Sequence, residues 1–300
     1  MARTGRFSHS GRRWVSAILA LVLGAFLSPL SGPSAIGAKG KAKRASVFRG
    51  VGAWVDIYDD KGWADPEGTI AALRAEGVKT LYLQTCNFRC KQDMHRPNVL
   101  SRWIDAAHAN DIRVVAWYLP GFDDLARDTR RSRAAIGFQS LTGQRFDGFA
   151  LDIEARDVHP VKKRNRRMLK LSRRIREAAG RGYPLGAITI PWWWDWGGPF
   201  PYAGLDKMYD VFLPMIYFGY RSDGPKGARF HTAKNIQQIR RGTGRPKTLI
   251  HPIGGIANDL TAREVGAFVK ASDRRRAVGV SLYDHFTSGP EHYAKLRTFG

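Results

Sequence analysis

The sequence predicts an α/β protein: a single (β/α)8 barrel preceded by a signal peptide. Three observations carry this expectation. Strand-like and helix-like segments alternate eight times between residue 51 and the end of the chain. That stretch is about 250 residues long, the usual size of such a barrel. The glycine-bearing run "RGVGAW" (residues 49–54) precedes the first strand instead of following it. The dinucleotide fingerprint expected of a doubly wound sheet is therefore missing.

The chain reads in three parts. Arg3, Arg6, Arg12 and Arg13 form a positive region ahead of the apolar run Trp14–Leu27, and the small residues Ser34, Ala35, Gly37 and Ala38 follow. Residues 1–38 are therefore predicted to be a secretory signal, cleaved near Ala38. Left uncleaved, the segment would act as an N-terminal membrane anchor, although it is short for a full bilayer span. Residues 39–47 are basic and without periodicity, which predicts a flexible lead-in. Residues 48–300 remain for one barrel domain with one sizeable core.

The predicted strands are 51–58, 80–85, 113–119, 148–154, 185–190, 211–217, 248–253 and 277–283, all short and rich in β-branched, aliphatic or aromatic residues. Asp65 and Pro66 supply a cap and a first helical position, and Gly77 closes that helix. Further helices are predicted over 100–109, 124–135, 161–179, near Leu205, and over 232–241, 261–272 and 291–299. In the longest, Met168, Leu171, Ile175 and Ala178 fall at helical spacing and predict the buried stripe. Lysines and arginines occupy most of its remaining surface.

The chain carries 49 Lys and Arg against 26 Asp and Glu, a formal charge of +23. Without the four arginines of the signal it keeps +19. On an exported protein such a charge suits anionic cell-envelope polymers, met through the basic surface. Export argues against nucleic acid as the partner. The only cysteines, Cys86 and Cys90, are four residues apart and can close a local disulfide in an oxidising compartment. No second pair is present to complete a zinc site, and no metal or organic cofactor is expected.

Active sites of this fold lie where strands end at the barrel mouth. The fourth strand ends in "DGFALDIE" (residues 147–154), placing Asp152 and Glu154 on the same face. Two carboxyls at alternate strand positions are close enough to couple, which drives their pKa values apart. Asp56, Trp117, Tyr217, Tyr283 and Asp284 fall at other strand ends and are candidate substrate contacts. "PWWWDW" after the fifth strand adds Trp192, Trp193, Trp194 and Trp196, whose indole faces suit sugar rings. His251 reads as a structural histidine.

"DGFALDIE" resembles the fourth-strand signature of chitinase-like glycoside hydrolases, and "MIY" (residues 215–217) matches their Met-x-Tyr on strand six. The resemblance implies Glu154 as general acid, Asp152 as the group that orients and stabilises an N-acetyl substituent, and Tyr217 as its assistant. Tyr283 would stand where the family carries a Trp. Ala150 occupies the position of the family's middle Asp, which departs from the pattern. Chalaropsis-type lysozymes are similar in placing Asp-x-Glu on strand four and an Asp on strand one, where Asp56 would serve. The expected function is a secreted glycoside hydrolase acting on a β-linked polysaccharide of N-acetylated sugars. A non-catalytic glycan-binding barrel and a basic envelope-associated scaffold remain as alternatives.

Overall fold

The structure, a computed structural model, describes residues 40–221 and 224–300. The predicted signal lies outside the described residues. Eight parallel strands follow one another around a barrel: β1 (Gly50–Val55), β2 (Thr80–Asn87), β3 (Arg113–Leu119), β4 (Gly148–Ile153), β5 (Leu185–Thr189), β6 (Val211–Pro214), β7 (Ile253–Gly255) and β8 (Gly279–Tyr283). β1 pairs with β8, and single bridges Phe212–Ile250 and Met215–Ile253 nearly close the sheet between β6 and β7. The predicted seventh strand, 248–253, starts its continuous ladder only at Ile253. Pro252 has no N–H to donate, so regular pairing resumes after it.

The helices form the outer shell: α1 (Asp60–Ala64), α2 (Pro66–Ala75), α3 (Pro97–Ala109), α4 (Leu125–Gly137), α5 (Val161–Ala179), α6 (Tyr202–Asp206), α7 (Gly224–Thr243), α8 (Ala262–Arg274) and α9 (Pro290–Leu296). Their ends follow local chemistry. Asp65 accepts from Gly68 N at 3.0 Å, Asp124 accepts from the amides of Ala126 and Arg127, and Thr261 with Glu264 forms a capping box. α5 buries Met168, Leu171 and Ile175 as expected, but it also buries Arg164 and leaves Ala178 exposed.

Residues 40–48 correct the expectation of a flexible lead-in. They form a helical turn continuing into a 3-10 turn (Ala45–Phe48) that seals the N-terminal end of the barrel. Val47 O accepts from Thr80 Oγ1 at 2.8 Å, and Arg113 donates to the carbonyls of Ser46 and Arg49. Arg44 meets Asp210 at 2.8 Å, and Arg176 reaches the other oxygen of the same carboxylate at 2.9 Å. The basic residues are tied down because the barrel floor offers acids and free carbonyls.

Phe48 fills the barrel floor and stacks near Tyr82. Its carbonyl lies 2.8 Å from His251 Nδ1, while His251 Nε2 sits 3.0 Å from Ser281 Oγ, which accepts from Trp54 Nε1 at 2.8 Å. This fits a neutral ring with the proton on Nδ1. Burial pushes the His251 pKa down from 6.5 to about 4. The unfolded chain therefore binds a proton in that window that the folded chain does not. Stability is full above pH 6.5 and falls as pH drops towards 4, by roughly 3 kcal/mol from this residue. Urea denaturation at pH 7.5 and 4.5 should show a smaller acid loss for His251→Gln than for the parent chain.

Candidate active site

β4 places the two acids. Its even-numbered residues face the barrel interior and its odd-numbered ones, Phe149, Leu151 and Ile153, face the helices, all fully buried. Asp152 is the last inward residue of the strand, 5% exposed. Glu154 comes one step after the strand ends and is half-buried. Both line a cleft of about 460 Å3 at the C-terminal mouth, together with Gln84, Trp117, Trp194, Met215, Tyr217 and Tyr283.

Neither acid is neutralised by a cation. No ion pair reaches Asp152 or Glu154 among the described residues. Asp152 Oδ1 is buried without a hydrogen-bond partner. Burial raises the Asp152 pKa well above the carboxylate range, and the nearby charge of Glu154 adds to it. Burial also raises Glu154, with Arg156 pulling in the opposite direction. Burial thus favours the proton more strongly on the deeper acid.

Trp117 faces the same cleft, and its buried Nε1 likewise has no partner. It pairs in register with Ala150, so a broad indole stands beside a small alanine. Trp54 fixes that ring edge-on at 5.8 Å. Trp117 Nε1 and Asp152 Oδ1 are thus two buried polar atoms without partners on residues that line the same cleft.

Tyr217 lines the cleft with its backbone at φ 38°, in the left-handed region. Burial raises its phenol pKa, and the charges of Glu154 and Asp152 raise it further, so the hydroxyl remains a donor. Tyr283 lies 5.9 Å from Tyr217 between ring centroids and donates to Asp56 Oδ2 at 2.6 Å. Asp56 Oδ1 accepts from Tyr58 N, so this carboxylate positions Tyr283 from behind and does not line the cleft. Asp284 is likewise off the cleft lining, with Oδ1 turned back onto Thr287 N and Oγ1 at 3.0 and 2.8 Å.

The tryptophan run divides. Trp194 alone reaches the cleft wall. Trp192 is pinned on α7, donating to His231 Nδ1 at 3.2 Å, with Lys234 Nζ 4.1 Å from its ring centre. Trp193 stands beside Arg221 at 4.9 Å and, with its neighbours, lines a separate recess. Trp196 is buried, donates to Asn165 Oδ1 at 2.8 Å and packs under Arg164 at 4.2 Å. Its placement is that of a core residue joining the loop to α5, not of a sugar platform. Trp196→Ala is expected to cost about 3–5 kcal/mol in urea unfolding, whereas Trp194→Ala should leave stability within about 1 kcal/mol.

Cys86 and Cys90 are joined by a disulfide with Cα atoms 6.1 Å apart. A register shift between Gln84 and Cys86 precedes it on β2. The bulge and the bridge together carry Asn87, Phe88 and Arg89 to the cleft. These three were not anticipated, because "NFRC" has no periodicity and only its place after a strand end pointed to the mouth. Arg156 was missed for the same reason. Asp147, the opening residue of the acid motif, lies at the opposite end of the barrel and accepts from Val114 N at 2.7 Å. Among the described residues no group of three or more His, Cys, Asp or Glu is placed to hold a metal ion.

No protein-family model and no curated protein sequence matches the chain. Its fold is that of the glycoside-hydrolase (β/α)8 barrels among solved structures. The endo-β-1,4-mannanase from Thermotoga petrophila matches with a TM-score of 0.61 at 10% identity, over 79% of this chain and 68% of that one. The Bacillus cereus spore cortex-lytic enzyme SleL matches at 0.60 and 10% identity, over 84% and 74%. A chitinase from Bacteroides thetaiotaomicron matches at 0.60 and 12% identity, over 82% and 93%. Identities this low establish the fold alone.

Proposed function

We propose that the protein is a secreted glycoside hydrolase that cleaves a β-linked polysaccharide of N-acetylated sugars, with Glu154 as general acid and Asp152 as stabiliser. The observation that carries this is the pair of unneutralised acids lining one cleft at the barrel mouth. Structural paired acids are held by arginine, and these are not. The likeness to solved hydrolases of mannan, spore cortex and chitin supports the same class.

The chemistry follows from the environment of each group. Burial raises the pKa of both acids, which favours the protonated form that a donor to the glycosidic oxygen requires. A substrate acetamido group in the cleft can donate its N–H to the Asp152 carboxylate. That contact favours the Asp152 anion and moves the shared proton onto Glu154. As the bond breaks, the acetamido oxygen closes on the anomeric carbon and the Asp152 anion stabilises the positive charge of the ring so formed; water then opens that ring and returns a proton to Glu154, a substrate-assisted variant of the two-carboxylate scheme. Tyr217 is placed to donate to the acetamido oxygen or to the pair. Such proton transfer needs no metal or organic cofactor.

A non-catalytic glycan-binding barrel is the second reading, favoured by Ala150 in the acid series. Incubation of the mature chain with chitin oligomers, peptidoglycan and neutral glucans, read by mass spectrometry, separates the two. New reducing ends from an N-acetylated polymer support hydrolysis. A blank panel, with Trp194-dependent binding retained, supports binding alone.

A further inference from the structure

Five exposed cations at the mouth of the barrel lie against aromatic rings. Lys61 stands 5.4 Å from the centre of Phe286, Arg89 5.1 Å from Phe88, Arg156 5.1 Å from Trp194, Arg221 4.9 Å from Trp193 and Lys234 4.1 Å from Trp192. The rings or their cations come from segments that follow β1, β2, β4, β5, β6 and β8. None of the five cations forms an ion pair among the described residues. Two of them, Arg89 and Arg156, line the cleft that holds Asp152 and Glu154. They reach it from different sides, one after β2 and one after β4.

Stacking holds a guanidinium flat while leaving its N–H edge free for a planar anion. Arg156 uses one donor on Asp195 O at 2.8 Å and keeps the others. Among the described residues Asp157 is the only exposed carboxylate lining the cleft, and no ion pair joins it to either arginine. A neutral glycan would meet the rings but give these guanidiniums no partner. From this geometry we infer that the glycan bound in the cleft is anionic: a β-linked N-acetylated chain whose sugars bear carboxylates, clasped bidentately by Arg89 and Arg156. This inference takes the sugar-binding cleft from the function proposed above and adds the charge of its substrate.

Lactyl carboxylates of muramic sugars and ring carboxylates of uronic acids share this chemistry, and matched probes distinguish them. The probes are an oligomer of alternating N-acetylglucosamine and N-acetylmuramic acid, an oligomer of alternating glucuronic acid and N-acetylglucosamine, and the methyl ester of each. Binding is measured by calorimetry on Glu154→Gln, which removes turnover. At least one acid form is expected to bind about tenfold or more tightly than its own ester. Which one does so names the source of the carboxylate. Adding Arg89→Gln and Arg156→Gln should erase the difference without shifting the thermal midpoint. Adding Arg166→Gln and Lys170→Gln on the outer face of α5 should leave it intact.

Equal binding of acid and ester, no binding of either acid form, or a preference that survives loss of both cleft arginines would each overturn the inference. Cleavage is read separately on the parent chain. An acid preference without cleavage of any oligomer would sink the hydrolase reading and leave the anionic-glycan site standing. Cleavage without acid preference would do the reverse.

Discussion

Replacing Glu154 with Gln is expected to lower turnover by about 10²–10⁴-fold while leaving glycan affinity within a few-fold. The amide keeps the shape and half-buried position of the side chain, so stacking on Trp194 and contact with Tyr217 survive. What disappears is the proton delivered to the leaving oxygen. The pH dependence has a definite sign. A general acid works only while protonated, so activity is present below the Glu154 pKa and is lost as pH rises through it. Because burial raises that pKa, this alkaline loss falls at a higher pH than an ordinary glutamate would give. Steady-state rates and binding on the same oligomer measure both quantities. Unchanged turnover in the variant would remove Glu154 from the role.

Replacing Asp152 with Asn is expected to lower kcat by about 10²–10³-fold and at the same time to stabilise the fold by about 1–3 kcal/mol at neutral pH. The opposite signs come from one cause. Asp152 is nearly fully buried, with one oxygen unpartnered and no arginine to offset its charge. A carboxyl whose folded pKa is raised costs stability above its unfolded pKa, and that cost grows as pH rises. An amide has no such charge to desolvate. The carboxyl that resists ionising in the folded chain is the one that, once ionised, meets positive charge on the reacting sugar. Urea unfolding at pH 5 and pH 8 should therefore show the stabilising effect of Asn growing towards the higher pH. An Asp152 placed for packing would show loss of stability together with loss of activity.

Much of the barrel was legible in the sequence, because strand and helix periods differ and the chain alternates between them eight times. β3 and α5 coincide with their predicted limits. The seventh strand was displaced by Pro252, whose missing N–H matters only once its neighbours are known. Residues 40–47, expected as a flexible lead-in, are ordered; local composition cannot reveal that distant acids, Asp206 and Asp210, lie in wait for Lys41 and Arg44.

The acid pair was legible by parity, since alternate residues of a strand share a face. The tryptophans were not separable by sequence. Whether an indole faces a ligand or an arginine depends on the helix beneath it, and Arg164 claims Trp196 from α5. Asp56 and Asp284 stood at strand ends as expected, but Asp56 serves Tyr283 and Asp284 serves Thr287, neither of which local spacing could show.

The most direct measurement is an infrared titration of the protein carboxyls, which needs no knowledge of the substrate. In the parent chain a protonated carboxylic acid band should persist near neutral pH, above the range of ordinary acids. It should vanish in Asp152→Asn and shift in Glu154→Gln, because the charge of Glu154 helps to hold the proton on Asp152. A parent spectrum with every carboxyl ionised by pH 6, unchanged by either substitution, would mean that the two acids are individually neutralised, and the account of this cleft as a proton-donating site would not stand.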